Sequence, residues 1–184
     1  ASTFKLNKKK LIKKIKKRPK ILFIPNPNQP IEDNLSLKEL EQICRLCKKF
    51  KVLLVIDEAY YMYGSETAAI LIKKYNNIII LRTFSKSFGV PSIRLGYIIA
   101  SEKIISLLNT FRLSYESNFL SDRVAIYFLK NIKIVYKYIN QVKKGRDYFK
   151  EKIRKLGFNV IGGQSNFLLV NFKFHNLFKA ISVV

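Results

Sequence analysis

Three clusters of polar and reactive side chains each come directly after an apolar run. The runs are KILFI (20–24), VLLVI (52–56) and NIIIL (77–81), and the clusters that follow them read PNPNQP, DEAYYMYG and RTFSKSFG. Short apolar runs of this kind are typical of buried strands. In an open sheet of parallel strands, ligands bind outside the carboxyl ends of the strands. The sequence therefore predicts that the three clusters converge on one site.

The third cluster holds Lys86 between two serines. A lysine that forms a Schiff base must be neutral long enough to attack a carbonyl, and nearby positive charge or desolvation favours that state. Thr83, Ser85 and Arg94 offer hydroxyl and guanidinium donors that match the oxygens of a phosphate. Taken alone, the Ser-Lys-Ser sequence is explained more simply by a lysine in a surface loop. The prediction therefore depends on the position of Lys86 directly after a strand.

The second cluster begins with Asp57, at the end of five apolar residues. A carboxylate in this position is partly desolvated and needs a partner. It could cap the following segment or join a structural ion pair, or it could meet a cationic atom of a ligand. Tyr60, three residues later, could direct a phenol that donates to an oxyanion at the same place.

The elements that must position these residues alternate between strand and helix. Between the first two runs, residues 36–51 show apolar residues at helical spacing, and Ser36 with Glu39 predicts a capping box. A shorter helix is predicted over 65–75, and a fourth strand over 95–100. This order predicts an α/β fold with a mostly parallel sheet and flanking helices. A basic amphipathic helix is predicted to lead into the first strand.

From about residue 101 the pattern becomes helical, with one helix after the fourth strand and a long helical stretch over 121–156. Strand character returns over 166–172, which predicts a second, smaller unit after the long helix. No run of eighteen apolar residues occurs, so no membrane span is predicted. The first twenty residues are basic and lack acids, which resembles a transit peptide faintly, but a short helix explains them more simply.

The 184 residues carry a formal net charge of +23, which could attract nucleic acid, an acidic membrane surface or a phosphorylated ligand. The lysines run from end to end without a nucleic-acid reading motif, so we do not expect nucleic-acid binding. Cys44 and Cys47 form a CxxC within the predicted helix, without the further ligands that a zinc site needs. We therefore expect two half-buried thiols and no metal site.

The three clusters together resemble the class I pyridoxal-phosphate (PLP) enzymes of the aspartate aminotransferase fold. The similarity is greatest to the branch of histidinol-phosphate aminotransferase and threonine-phosphate decarboxylase. The family's NPNNPTG, DEAY and SKxxG…RxGY correspond here to NPNQPIE (26–32), DEAY (57–60) and SKSFG…RLGY (85–97), and SNFLLVNF (165–172) resembles its small-domain strand. The resemblance implies that 1–117 form the central part of the large PLP-binding domain, 118–156 connecting helices, and 157–184 the start of an incomplete small domain.

The resemblance also implies roles for the residues that face the cofactor ring. Lys86 would form the Schiff base with PLP and would move the proton between the substrate's Cα and the cofactor. Asp57 would pair with the protonated pyridine nitrogen, and Tyr60 would hydrogen-bond the phenolic oxygen. Ala59 would be small because the ring packs against it.

The remaining implied roles concern the phosphate and one departure from the family. Thr83, Ser85 and Arg94 would hold the cofactor phosphate. The family's asparagine before the proline, which also bonds the phenolic oxygen, is replaced by Gln29, whose amide could make the same bond. The family's chain is longer, and its phosphate loop, stacking aromatic and carboxylate-binding arginine have no counterpart here.

Two interpretations remain open from the sequence, an active enzyme and an inactive fragment of one. The first is an aminotransferase acting on an amino acid or a phosphorylated amino acid, with a PLP-dependent decarboxylase of a phosphorylated amino acid as the runner-up. The second is a catalytically inert fragment of such an enzyme. A cytoplasmic location and a homodimer in the full-length form follow from the resemblance alone.

Overall fold

The computed structural model describes residues 6–29, 33–113 and 115–171, which form a four-stranded sheet with helices and a separate two-stranded sheet. The strands of the larger sheet are β1 (Ile21–Pro25), β2 (Leu53–Asp57), β3 (Ile78–Thr83) and β4 (Gly96–Ala100), arranged in that order. β1, β2 and β3 are parallel, and β4 runs antiparallel to β3. The predicted α/β fold with a mostly parallel sheet is confirmed.

The strands extend further into the polar clusters than the apolar runs indicated. Pro25 pairs with Asp57, Asp57 pairs with Leu81, and Thr83 pairs with Gly96. The hydrogen-bonded part of the sheet therefore includes Asp57 and Thr83, two of the predicted site residues. Main-chain hydrogen bonds rather than side-chain polarity determine where these strands end.

The helices on the amino-terminal side are α1 (Lys8–Lys16) and α2 (Leu37–Phe50). The predicted capping box is present, because the Ser36 hydroxyl accepts from the Glu39 main chain and the Glu39 carboxylate accepts from the Ser36 main chain. Leu11 and Ile15 of α1 are buried in the same hydrophobic core as the inner face of α2 and the buried side of the sheet. The basic residues of α1 face solvent.

Residues 65–75 do not form the predicted helix; within them, only Ala69–Leu71 adopt a short 3-10 turn. Ala68, Leu71 and Tyr75 are buried, as one face of a helix would be. However, hydrogen bonds from Thr67 and Ala68 to Glu58 hold the start of the segment. Tertiary hydrogen bonds therefore override the helical spacing here.

The carboxyl-terminal part contains α3 (Glu102–Asn109), α4 (Phe119–Lys130) and α5 (Ile132–Lys155). The predicted long helical stretch is divided at Asn131, whose side chain donates to the Tyr127 carbonyl oxygen at 2.9 Å. β5 (Asn159–Ile161) and β6 (Leu169–Asn171) then pair antiparallel. The domain boundaries stay a prediction, and 172–184 of the predicted small domain lie outside the described residues.

A second hydrophobic cluster joins the strand ends to the long helices. It contains Tyr60, Tyr63, Phe84 and Phe88 from the loops after β2 and β3, packed with residues of α4 and α5. The loops after β2 and β3 are thus packed against these helices. None of the described helices is both long and apolar enough to cross a membrane.

The prediction of half-buried thiols is wrong, because both cysteines of α2 are fully buried. Burial raises the pKa of the Cys44 thiol to about 12 and that of Cys47 to about 11. Both sulfurs are packed against the core between α2 and the sheet, on the inner face of the helix.

Candidate active site

Asp57 lies at the carboxyl end of β2 and is half-buried. Its Oδ1 accepts a hydrogen bond from the Ala59 main chain at 3.0 Å, so the carboxylate does cap the following turn. Among the described residues, its Oδ2 accepts no hydrogen bond. Its main-chain oxygen accepts from the Asn26 main chain at 2.8 Å, which ties the end of β1 to the end of β2. One carboxylate oxygen is therefore left for a ligand.

Lys86 lies in the turn after β3, and its Nζ is 5.4 Å from the centroid of the Tyr60 ring. Tyr60 is 8% exposed and packs edge-on against Phe167, with 5.6 Å between ring centroids. The predicted lysine and phenol are therefore brought together from two different loops. The contact also places the amine within the distance of an aromatic ring at which side-chain nitrogen and ring interact.

The main chain of the Lys86 turn is fixed by hydrogen bonds on both sides. The Lys86 carbonyl oxygen accepts from the Tyr63 hydroxyl at 3.1 Å and from the Gly89 main chain at 3.1 Å. Gly89 has φ +71°, in the left-handed region that glycine adopts without strain. Tyr63 was not predicted as a site residue, although it follows Tyr60 by three positions in the same cluster.

The predicted phosphate-binding residues lie at the end of β3 and in the next turn. The Thr83 hydroxyl accepts from the Ser85 main chain at 3.1 Å and donates to the Leu95 carbonyl oxygen at 3.4 Å. Arg94 is exposed, has φ 50°, and donates from Nη1 to the Pro91 carbonyl oxygen at 3.1 Å. Thr83 and Ser85 are thus in direct contact, whereas the Arg94 guanidinium contacts its own turn.

Gln29 lies in the turn after β1 and is exposed. In the part of the chain that the structure describes, no hydrogen bond joins Gln29 to another predicted site residue. Asn26, three residues earlier, is fully buried and was not predicted to have a role. Its Oδ1 accepts from the Leu35 main chain at 2.9 Å, so Asn26 links the end of β1 to the residue before the Ser36 N-cap of α2.

Sequence reasoning also missed the ion pair between Glu58 and Arg82. Glu58 is fully buried, and Arg82 donates to its Oε2 from Nε at 3.1 Å and from Nη2 at 2.9 Å. Burial alone would lower the pKa of Arg82, but hydrogen bonds with Tyr97 and Glu58 outweigh it and raise that pKa. Strand alternation could have found the pair, since Glu58 shares its face with the buried Ile56.

The side chains at this edge of the sheet could bind one ligand through several kinds of contact. They comprise a lysine amine, a carboxylate with one unused oxygen, a buried phenol, two hydroxyls and a guanidinium. These groups suit a ligand with an electrophilic carbonyl, a phosphate and a cationic atom that meets Asp57. Within the described residues, no cluster of acidic, cysteine or histidine side chains could hold a metal ion.

Comparisons with known proteins agree with a ligand of this kind. The chain is 35% identical over 164 residues to a histidinol-phosphate aminotransferase of Thermoanaerobacter pseudethanolicus, covering 88% of this chain and 46% of that protein. The crystal structure of histidinol-phosphate aminotransferase from Sinorhizobium meliloti in complex with pyridoxal-5'-phosphate has a similar fold. Its TM-score is 0.85 at 18% identity, over 94% of this chain and 48% of that one.

The L-threonine-O-3-phosphate decarboxylase of Porphyromonas gingivalis is also similar in fold. Its TM-score is 0.76 at 21% identity, over 90% of this chain and 54% of that one. The chain thus spans about half the length of the proteins it matches. The resemblance to this branch of enzymes is confirmed. The family model for aminotransferase class I and II matches residues 1–181, and the chain therefore belongs to that family.

Proposed function

We propose that the protein provides the lysine-bearing half of a PLP-dependent aminotransferase that acts on an amino acid or a phosphorylated amino acid. The observation that carries the proposal is the approach of the Lys86 amine to the Tyr60 ring at 5.4 Å, with Asp57 on the neighbouring strand end. When bound, PLP supplies the electron sink that allows a bond at the substrate's Cα to break. Histidinol phosphate is the first substrate to test, because the relative described above is named for it.

The residues would divide the work according to their positions. Asp57 would offer its unused oxygen to the protonated pyridine nitrogen. The Tyr60 hydroxyl and the Gln29 amide would donate to the phenolic oxygen. Ala59 leaves room for the ring. Lys86 would hold the cofactor through its carbonyl carbon, and its amine would move the proton at the substrate's Cα.

The phosphate would be held by Thr83, Ser85 and Arg94. Thr83 ends β3 and Ser85 lies two positions later, and the Thr83 hydroxyl would exchange its 3.4 Å bond to the Leu95 carbonyl oxygen for a phosphate oxygen. Arg94 must exchange its bond to the Pro91 carbonyl oxygen for a phosphate oxygen. This exchange costs little because the guanidinium is exposed and its present bond is to a neutral acceptor.

We also propose a homodimer for the full-length form and a cytoplasmic location. Both are carried over from the family resemblance. The same cofactor residues would serve a decarboxylase of a phosphorylated amino acid, and the substrate pocket would decide which bond at Cα breaks.

Reduction of the PLP-treated protein with borohydride tests the proposal. We expect a visible absorbance band, fixed by borohydride as a covalent label that peptide mapping finds at Lys86. Lys86→Ala should abolish the label, whereas Lys103→Ala on exposed α3 should not. No band in the wild-type chain, or a label spread over many lysines, would refute the cofactor proposal.

Addition of L-glutamate to the PLP-treated protein then separates the remaining alternatives. Loss of the band with release of 2-oxoglutarate indicates transamination, and carbon dioxide release from a phosphorylated amino acid indicates decarboxylation. If Lys86 is labelled but no amino acid changes the absorbance band, the protein is a catalytically inert fragment.

A further inference from the structure

A buried ion pair lies immediately behind the candidate site. Glu58 follows Asp57 in the chain, and Arg82 precedes Thr83. The Glu58 side chain is 0% exposed and that of Arg82 is 11% exposed, with Nη2 and Oε2 at 2.9 Å. The pair therefore joins the two strands at the positions next to residues of the proposed cofactor site.

The surrounding groups complete the hydrogen bonds of the pair. The Thr67 hydroxyl lies 3.1 Å and 2.8 Å from the two Glu58 carboxylate oxygens, and the Ala68 main chain donates to Oε1 at 2.6 Å. The Tyr61 ring covers the guanidinium, with 3.6 Å from the Arg82 Cζ to the ring centroid. Because a buried carboxylate without partners is strongly disfavoured, these groups hold one arrangement.

The pair sits on the opposite face of the sheet from Asp57. Glu58 continues the buried alternation of Ile56, and Arg82 continues that of Ile80, which is the register partner of Ile56. The Glu58 main chain donates to the Leu81 carbonyl oxygen at 2.9 Å, one step beyond the last register pair. The pair thus forms an additional cross-link where β2 and β3 would otherwise separate into loops.

The cross-link determines a distance that the proposed chemistry depends on. Asp57 and Lys86 would have to contact one cofactor ring at the same time, although Asp57 ends β2 and Lys86 lies in the turn after β3. A shift of about 1 Å between such groups can reduce catalysis about 100-fold. No other charged side-chain pair among the described residues joins β2 to β3.

We propose that Glu58 and Arg82 are positioning residues, which hold the Lys86 turn at a set distance from Asp57. The proposal rests on the proposed function for its chemical consequence. Its structural content, the position of the Lys86 turn, can be tested without cofactor. Neither residue is expected to touch substrate or cofactor.

Glu58→Gln tests the proposal, with Glu41→Gln as the matched control. Glu41 of α2 forms an exposed ion pair with Lys74. Glu41→Gln therefore removes one negative charge, as Glu58→Gln does, but from an exposed pair outside the site. In Glu58→Gln we expect amide hydrogen exchange in 83–89 to accelerate about tenfold in the cofactor-free chain. Exchange in α1 should be unchanged in both variants. Equal exchange of 83–89 in wild type and Glu58→Gln would overturn the proposal.

The cofactor-dependent readout is the affinity for PLP, measured well below the unfolding temperature. We expect it to weaken about 10- to 100-fold in Glu58→Gln and to be unchanged in Glu41→Gln. A lower unfolding temperature with unchanged PLP affinity would show a purely stabilising pair and would also overturn the proposal. If wild type itself binds no PLP, the proposed function fails, and the exchange measurement still decides the position of the turn.

Arg82→Lys is the second variant, for use if Glu58→Gln does not fold. It keeps the positive charge but loses the planar guanidinium that bonds Glu58 twice and stacks on Tyr61. We expect a smaller acceleration of exchange over the same 83–89 segment. Exchange equal to wild type would contradict the proposal in the same way.

Discussion

Gly96→Ala is predicted to destabilise the strand pair that carries the candidate phosphate site. A Cβ placed on Gly96 would lie 2.8 Å from the Arg82 carbonyl oxygen. The contact is with main chain at the last register pair of the β3–β4 ladder, where Gly96 pairs with Thr83. It can be relieved only if β3 and β4 move apart by several tenths of an ångström.

The expected cost follows from the kind of contact. Placing a methyl group against main chain that cannot yield without a backbone shift costs about 1–3 kcal/mol. For a chain of this size, each 1 kcal/mol lowers the unfolding temperature by about 2–4 °C. We therefore expect Gly96→Ala to unfold roughly 2–12 °C below wild type.

Gly145→Ala is the matched control. Gly145 lies within α5 and has no heavy atom within 4 Å of a built Cβ. The same substitution there should stabilise the protein by about 0.5–1 kcal/mol, because alanine is a better helix former than glycine. The two variants should thus differ in sign, as measured by urea and thermal unfolding followed by circular dichroism. A Gly96→Ala protein as stable as wild type would refute the steric argument.

Three further predictions concern single contacts. Tyr63→Phe removes the hydroxyl that donates to the carbonyl oxygen of the Lys86 turn and should cost about 1 kcal/mol in urea unfolding; an unchanged midpoint would contradict it. The hydrogen bond from Lys8 lowers the pKa of Glu39 from 4.5 to about 2. The folded form therefore gains stability above pH 4.5 and loses it as the pH falls towards 2, and Glu39→Gln should lose less stability over that range than wild type. The two thiols of α2, with pKa values raised by burial to about 12 and 11, should react with a disulfide reagent at pH 8 only after denaturation; rapid reaction of the native protein would argue against their burial.

The sequence by itself determined the parts of the fold that depend on local pattern. Apolar runs located the four strands to within two residues, and Ser36 with Glu39 located the start of α2. The motif order also put Asp57 and Lys86 after neighbouring strands. These features follow from periodicity and capping, which involve residues close together along the chain.

The tertiary structure decided what depends on contacts between distant residues. It made β4 antiparallel, replaced the predicted helix over 65–75 with a short turn, and left Gln29 exposed. The burial of Glu58 shows the physical reason. Its charge is compatible with the core only because Arg82, 24 residues away, and Thr67 complete its hydrogen bonds. Local sequence specifies a residue's strand and face, but only the assembled sheet supplies its partners.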